Sequence, residues 1–138
     1  MKKLLIVAVV GAALLALPSL LSSEARTKNA AVTFTKNVAP ILQKRCEECH
    51  HAGGAAPMAL VSYEETRPWA KAIKEKVASR AMPPFHATGA VGRYQDDPRL
   101  TEAEIATITQ WVDGGAQKGN VKDAPAPLTW KNDWKLGE

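Results

Sequence analysis

Two cysteines three positions apart with a histidine directly after, Cys46-Glu47-Glu48-Cys49-His50, are the residues of this chain best equipped for chemistry. Three kinds of chemistry use such a group. A dithiol at this spacing makes a strained, reactive disulfide, normally at a helix start inside a βαβ unit. Here the pair falls at the end of a helical pattern, with no strand pattern around it. A structural zinc site takes four ligands, and beyond the motif and its neighbour His51 the chain has no second cysteine pair and only His86. The third chemistry accounts for every residue. Two thiols at this spacing add to the two vinyl groups of one haem, and the histidine that follows lies under the porphyrin with a ring nitrogen directed at iron. The spacing therefore predicts one covalent haem c, attached through Cys46 and Cys49, with His50 as proximal ligand. His51, one step further round the backbone, is expected to be an exposed polar residue.

The sixth iron position has four candidates, Met58, Met82, His86 and His51. A thioether donor favours reduced iron and suits electron transfer. Met82 follows a helical pattern in Arg80-Ala81-Met82-Pro83-Pro84-Phe85. A helix of about 14 residues carries the chain roughly 20 Å, enough to pass round a haem edge, and two prolines then fix φ in the loop that holds the sulfur. Met82 is the expected distal ligand. Met58 sits in a loop beside Gly53-Gly54 that presents nothing rigidly, and His86 is expected to border the haem crevice, where its imidazole would bond a propionate.

Three helical segments must position these residues. The first is expected over about Asn37 to Arg45, with Val38, Ile41 and Leu42 on one face, Phe34 just upstream on the same stripe, and Pro40 in the first turn. The second begins at the capping box Ser62-x-x-Glu65, is interrupted by Pro68, and runs on to about Ala81 with Trp69, Ala72, Ile73 and Val77 as its apolar stripe. The third opens with the capping box Thr101-x-x-Glu104 and a Leu100–Ile105 staple, carries Ile105, Ile108 and Val112 on one face with Trp111 beside them, and stops at Gly114-Gly115. No alternating strand pattern and no internal repeat is present, so the expected fold class is all-α.

The chain opens with Lys2 and Lys3, an uncharged run from Leu4 to Leu17, and Ser23-x-Ala25. This is the pattern of an export signal cut after Ala25. A bilayer span takes about 20 apolar residues, and Pro18 and Ser19 end the run early, so the expectation is a periplasmic or secreted protein, membrane-anchored only if the signal stays uncleaved. Export agrees with haem attachment, which takes place outside the cytoplasm. The formal charge of +4 is mild, and no Lys/Arg cluster alternates with stacking aromatics, which argues against a nucleic-acid partner. Lys71, Lys74 and Lys76, with Arg80, give the second helix a basic side, read either as a solvated helix face or as a surface that steers an acidic partner. The expected organisation is a signal peptide over residues 1–25, a haem domain over 26–119 and an irregular tail over 120–138 that holds Pro125, Pro127, Trp130 and Trp134.

Helix, CxxCH, connecting helix, Met-Pro and a last helix with an aromatic together resemble the small monohaem cytochromes c of the class I fold, over about Val32 to Gly119. Asn37-Val38-Ala39-Pro40-Ile41-Leu42, Ala56-Pro57-Met58, Arg67-Pro68-Trp69-Ala70, Met82-Pro83-Pro84-Phe85-His86-Ala87 and Trp111-Val112-Asp113-Gly114-Gly115-Ala116 resemble, more narrowly, a bacterial cytochrome c module found fused to other exported domains, including copper monooxygenase-like ones. Trp134-Lys135-Leu136-Gly137-Glu138 is similar to the linker that leads onward in such fusions. The resemblance implies three main helices around one covalently bound haem, with the first and last crossing near it so that the Phe34/Val38 and Ile108/Trp111 stripes meet. It implies a one-electron carrier, not an enzyme, working with redox protein partners. Two rival readings remain at this point: a peroxidase-like or monooxygenase-partner subunit, and a sensing module, each with a labile sixth ligand.

Overall fold

The computed structural model describes residues 31–130. The expected signal peptide and its cleavage site, and the last part of the tail with Trp134, lie outside the described residues. Within them the chain is helical, without strands: a π-helical turn Phe34–Val38, then α1 (Ala39–Arg45), α2 (Tyr63–Thr66), a 3-10 turn Arg67–Trp69, α3 (Ala70–Ala78), α4 (Glu102–Asp113) and a 3-10 turn Val121–Asp123. No helix among these residues is long and apolar enough to cross a membrane.

Helical backbone begins three residues before the expected start. The N–H groups of Phe34 and Thr35 donate to the carbonyls of Gln117 and Lys118 (2.9 and 3.0 Å), so the far end of the chain pins this turn. Pro40 has no N–H to give to the Lys36 carbonyl, and the wide turn lies just before it. Gly119 makes the close approach possible, since a Cβ there would lie 2.6 Å from Thr33 and from the Thr35 hydroxyl.

Both expected capping boxes form. Ser62 and Glu65 close one at the head of α2, and Thr101 and Glu104 close the other at the head of α4. Pro68 turns the second segment into a 3-10 step, after which α3 runs only to Ala78 and not to Ala81. The stop is a Schellman-type closure. Ala81 N–H donates to the Lys76 carbonyl (2.9 Å) and Arg80 takes a left-handed φ of 57°, a conformation that helix ends normally assign to glycine. The strain is held by tertiary contacts, because the Arg80 guanidinium donates to the Leu100 carbonyl (3.2 Å) and pairs with Glu102. α3 and its 3-10 step still advance the chain about 13 Å and 6 Å, the reach expected of the longer helix.

Two apolar clusters form the core. The larger joins Phe34, Val38, Leu42, Leu60, Ala70 and Trp111; the smaller joins Val77, Leu100 and Ile108, with Ile41 and Ile105 against it. The first and last helical segments therefore meet as expected, but the stripes divide. Trp111 packs on Phe34 with ring centroids 5.9 Å apart, and its indole N–H donates to the Gln117 carbonyl (3.0 Å). Ile108, one turn back, belongs with Val77 on α3.

Candidate functional site

The cysteines and His50 sit on one tight turn that continues from α1. Cys46 and Glu47 N–H both donate to the Leu42 carbonyl (2.8 and 2.9 Å), and Cys49 and His50 N–H both donate to the Cys46 carbonyl (3.1 and 2.9 Å). The two thiols face different surroundings. Cys46 packs against the Phe34/Leu42 cluster, whereas Cys49 is exposed, and both are free. Burial, reinforced by the neighbouring Glu47 carboxylate, pushes the Cys46 thiol up to about 12. A thiol–disulfide catalyst needs the opposite, an accessible cysteine with a lowered pKa.

His50 has its tautomer set by the fold. Its Nδ1 lies 3.0 Å from the Met58 carbonyl oxygen. A carbonyl only accepts, so Nδ1 carries the proton and Nε2 keeps the lone pair. This is the arrangement of a metal-ligating histidine, whose second ring nitrogen is anchored to a carbonyl or carboxylate. The loop after the turn is folded back to provide that anchor: Ala56 N–H donates to the Cys49 carbonyl (3.0 Å) and Leu60 N–H to the His50 carbonyl (2.9 Å). Met58 thus enters the site through its backbone, while its side chain packs on the core. Gly54 allows the fold-back, since a Cβ there would sit 2.5 Å from the Cys49 carbonyl and 3.0 Å from the His51 ring.

His51 departs from expectation. It is half-buried, its Nδ1 donates to the Glu47 carbonyl (2.7 Å), and its ring stacks on Trp130 at 4.9 Å and 14°. Glu47, between the two cysteines, is only 1% exposed, and burial pushes it up to about 7 against a partial opposing effect of the Trp130 indole. Neither Glu47 Oε2 nor Trp130 Nε1 has a partner in full hydrogen-bond geometry. Gln43 Nε2 donates to the Ala126 carbonyl (2.9 Å), so the early part of the tail lies along α1 and over the cysteine turn. No sequence signal marks this, because each contact joins residues far apart in the chain.

Met82 lies elsewhere. It is 41% exposed and borders a cavity of about 190 Å³ lined with Val77, Arg80, Pro83, Phe85, Arg99, Leu100 and Ile105; none of Cys46, Cys49 and His50 lines it. The Met82–Pro83 peptide is cis. The structure thus brings the two cysteines and His50 together and places Met82 at a separate pocket. His86 is exposed and is not part of that pocket's lining. The expected basic side of the second helix is largely neutralised, as Lys74 pairs with Asp113 and Arg80 with Glu102, leaving Lys71 and Lys76 without an ion pair among the described residues.

The residues that organise the Met82 loop are two that sequence reasoning passed over. Asp97 is buried and accepts from Arg99 Nε (2.9 Å), Arg99 Nη2 (2.7 Å) and the Gly92 N–H (2.9 Å). The Arg99 guanidinium beside it holds its carboxyl well below the usual carboxylate range. Arg99 also donates to the Gly89 and Ala90 carbonyls (2.9 Å each) and lies over the Phe85 ring at 4.9 Å.

Comparison of the chain with models of protein families, with curated proteins and with solved structures finds no match.

Proposed function

We propose that this chain is an exported monohaem c-type cytochrome of the class I fold that takes one electron from a reduced protein partner and passes it to an oxidised one. Cys46 and Cys49 would form the two thioethers, His50 would offer Nε2 to the iron, and Met82 would offer its sulfur as the sixth ligand. The haem supplies the one-electron couple. The polypeptide anchors it, orients the imidazole and limits access of water.

The observation that carries this reading is the His50–Met58 hydrogen bond. It engages Nδ1 and leaves Nε2, the ring nitrogen a haem iron would take, outside that bond, on the same turn as two free thiols. The raised pKa of Cys46 supports it by disfavouring a thiol catalyst. The cavity at Met82, about 190 Å³, is below the roughly 300–1,000 Å³ of usual ligand pockets. The exposure of Met82 favours the second reading, a haem subunit with a displaceable sixth ligand for catalysis or sensing.

Acid-acetone extraction of protein made in a haem-attaching host should leave haem with the polypeptide; haem released to the solvent rejects the assignment. The oxidised protein should show the weak near-infrared thioether-to-iron band and lose it in Met82→Ala. A band that survives in Met82→Ala but vanishes in Met58→Ala assigns the other methionine. Rapid peroxide turnover by the freshly purified protein would move it from carrier to enzyme. Mass spectrometry should find residues 26–138 plus one haem, and a mass that retains Met1 to Ala25 would mean an anchored cytochrome.

A further inference from the structure

We infer that Arg99, braced by Asp97, is the positioning residue that keeps the Met82 loop closed over the iron site. The inference rests on the reading of Met82 as the sixth ligand, and its evidence is the wiring of the loop.

Between the end of α3 and the start of α4 the chain runs from Ser79 to Thr101 without regular structure. Before Leu100, which is buried against Val77 and Ile108, it has no buried apolar side chain. Met82, Val91 and Tyr94 are all exposed, and the internal ties are local ones such as Tyr94 OH to the Thr88 carbonyl (2.6 Å). Two arginines are the exceptions: Arg80 ties the ends of the segment, donating to the Leu100 carbonyl (3.2 Å), and Arg99 ties its middle. The Arg99 guanidinium reaches two consecutive carbonyls, Gly89 and Ala90, and covers Phe85, three residues after Met82. It also lines the same pocket as Met82.

A guanidinium holds a shape only if it is itself held. Asp97 does this with both carboxylate oxygens and uses the same oxygens to fix the Gly92 and Arg99 N–H groups. The brace then reaches the other side of the site. Arg45, the residue before Cys46, donates to the Asp97 carbonyl (2.8 Å) and to Glu104 (3.1 Å). A continuous chain of charge-assisted bonds thus connects the residue next to the first cysteine to the loop that carries the methionine. A lysine at 99 would preserve the charge but not the fork, because a point-like ammonium cannot address two carbonyls and a carboxylate together.

The test uses full-length haem-loaded protein. Displacement of Met82 by added imidazole requires the loop to open, so its rate reports the open population. Arg99→Gln should bind imidazole about tenfold faster than the unmutated protein, the order expected when charge-assisted bonds made only in the closed loop are lost. Its near-infrared band should weaken, and Arg99→Lys should fall between the two. Arg67→Gln, whose guanidinium meets only the Gly115 carbonyl among the described residues, should leave both readouts unchanged. Equal imidazole rates and bands in Arg99→Gln, Arg99→Lys and unmutated protein would overturn the inference while sparing the ligand assignment. A missing band in the unmutated protein would overturn both. If Arg99→Gln fails to accumulate, Arg99→Lys and Asp97→Asn carry the same comparison, and rates equal to the unmutated protein in both reject the brace.

Discussion

The cysteine turn and the methionine loop are built by different means. From Cys46 to Leu60 the chain is tied by backbone bonds, to the Leu42 carbonyl at its root and otherwise within the segment, and it rests on Leu42 and Leu60, both buried. From Ser79 to Thr101 it is tied by two arginines and one carboxylate, and several of its apolar side chains face outward. The first construction presets its geometry: His50 has its tautomer fixed by a backbone carbonyl with no help from a ligand. The second sets a loop's outline but not the final place of its sulfur. If the turn holds a haem as proposed, the histidine is the ligand whose orientation the fold already sets.

The contrast can be broken or sharpened by measurement. Leu42→Ala should have the largest effect. The residue is fully buried at the root of the cysteine turn, and such truncations cost about 2–5 kcal/mol, to be read from urea unfolding. Val91→Ala, in the exposed loop, should cost less than about 0.5 kcal/mol. Equal costs would remove the distinction between the two regions.

Gly54→Ala comes next. Its new Cβ would press the Cys49 carbonyl at 2.5 Å, backbone that cannot yield without shifting the turn. An expected loss of about 1–3 kcal/mol should be accompanied by a lower yield of covalent haem at unchanged expression. Full attachment in Gly54→Ala would mean the turn adapts more freely than its bonding implies.

Glu47 gives a pH signature. Its folded pKa of about 7 lies above its ordinary 4.5, so the folded chain holds a proton that the unfolded chain has released between those values. The stability this contributes is complete below about pH 4.5, declines as pH rises through the window and is gone above about 7, a change of roughly 1–3 kcal/mol. Glu47→Gln should flatten that decline and be the more stable protein at pH 8. Parallel profiles for the two would show that the carboxyl reaches water.

The smallest effect concerns partner steering. With Lys74 and Arg80 paired, only Lys71 and Lys76 are left on that helix to attract an acidic partner. Raising salt from low to physiological strength, where exposed charges are screened beyond about 8 Å, should slow reduction by such a partner only slightly. A steep salt dependence would locate the steering charges on another face.

What was legible in the sequence was local. Ser62 and Glu65, and Thr101 and Glu104, are three residues apart and complete each other's hydrogen bonds, so their pattern survives in one dimension. Leu100 and Ile105 pack together for the same reason. The Cys46, Cys49 and His50 spacing was equally plain, and the structure gathers these residues on one turn. Arg80 at the end of α3 was not legible, because a left-handed residue other than glycine is tolerated only through its bonds to Leu100 and Glu102, both about a helix length or more away in sequence. Asp97 and Arg99 stand two apart in a stretch that reads as an ordinary polar loop; their importance lies in the carbonyls they reach. The burial of Glu47 depends on Trp130, at the other end of the described chain.

The unequal surroundings of Cys46 and Cys49 bear on how the thiols survive before any bond is made to them. Oxidation and disulfide exchange proceed through the thiolate. With its pKa pushed up to about 12 by burial, Cys46 is overwhelmingly the protonated thiol at neutral pH. An oxidant that reaches Cys49 at the surface therefore meets a partner thiol that is slow to close the ring. In an oxidising compartment the folded turn would act as a kinetic safeguard, lengthening the time during which both sulfurs stay reduced and available for lasting carbon–sulfur bonds.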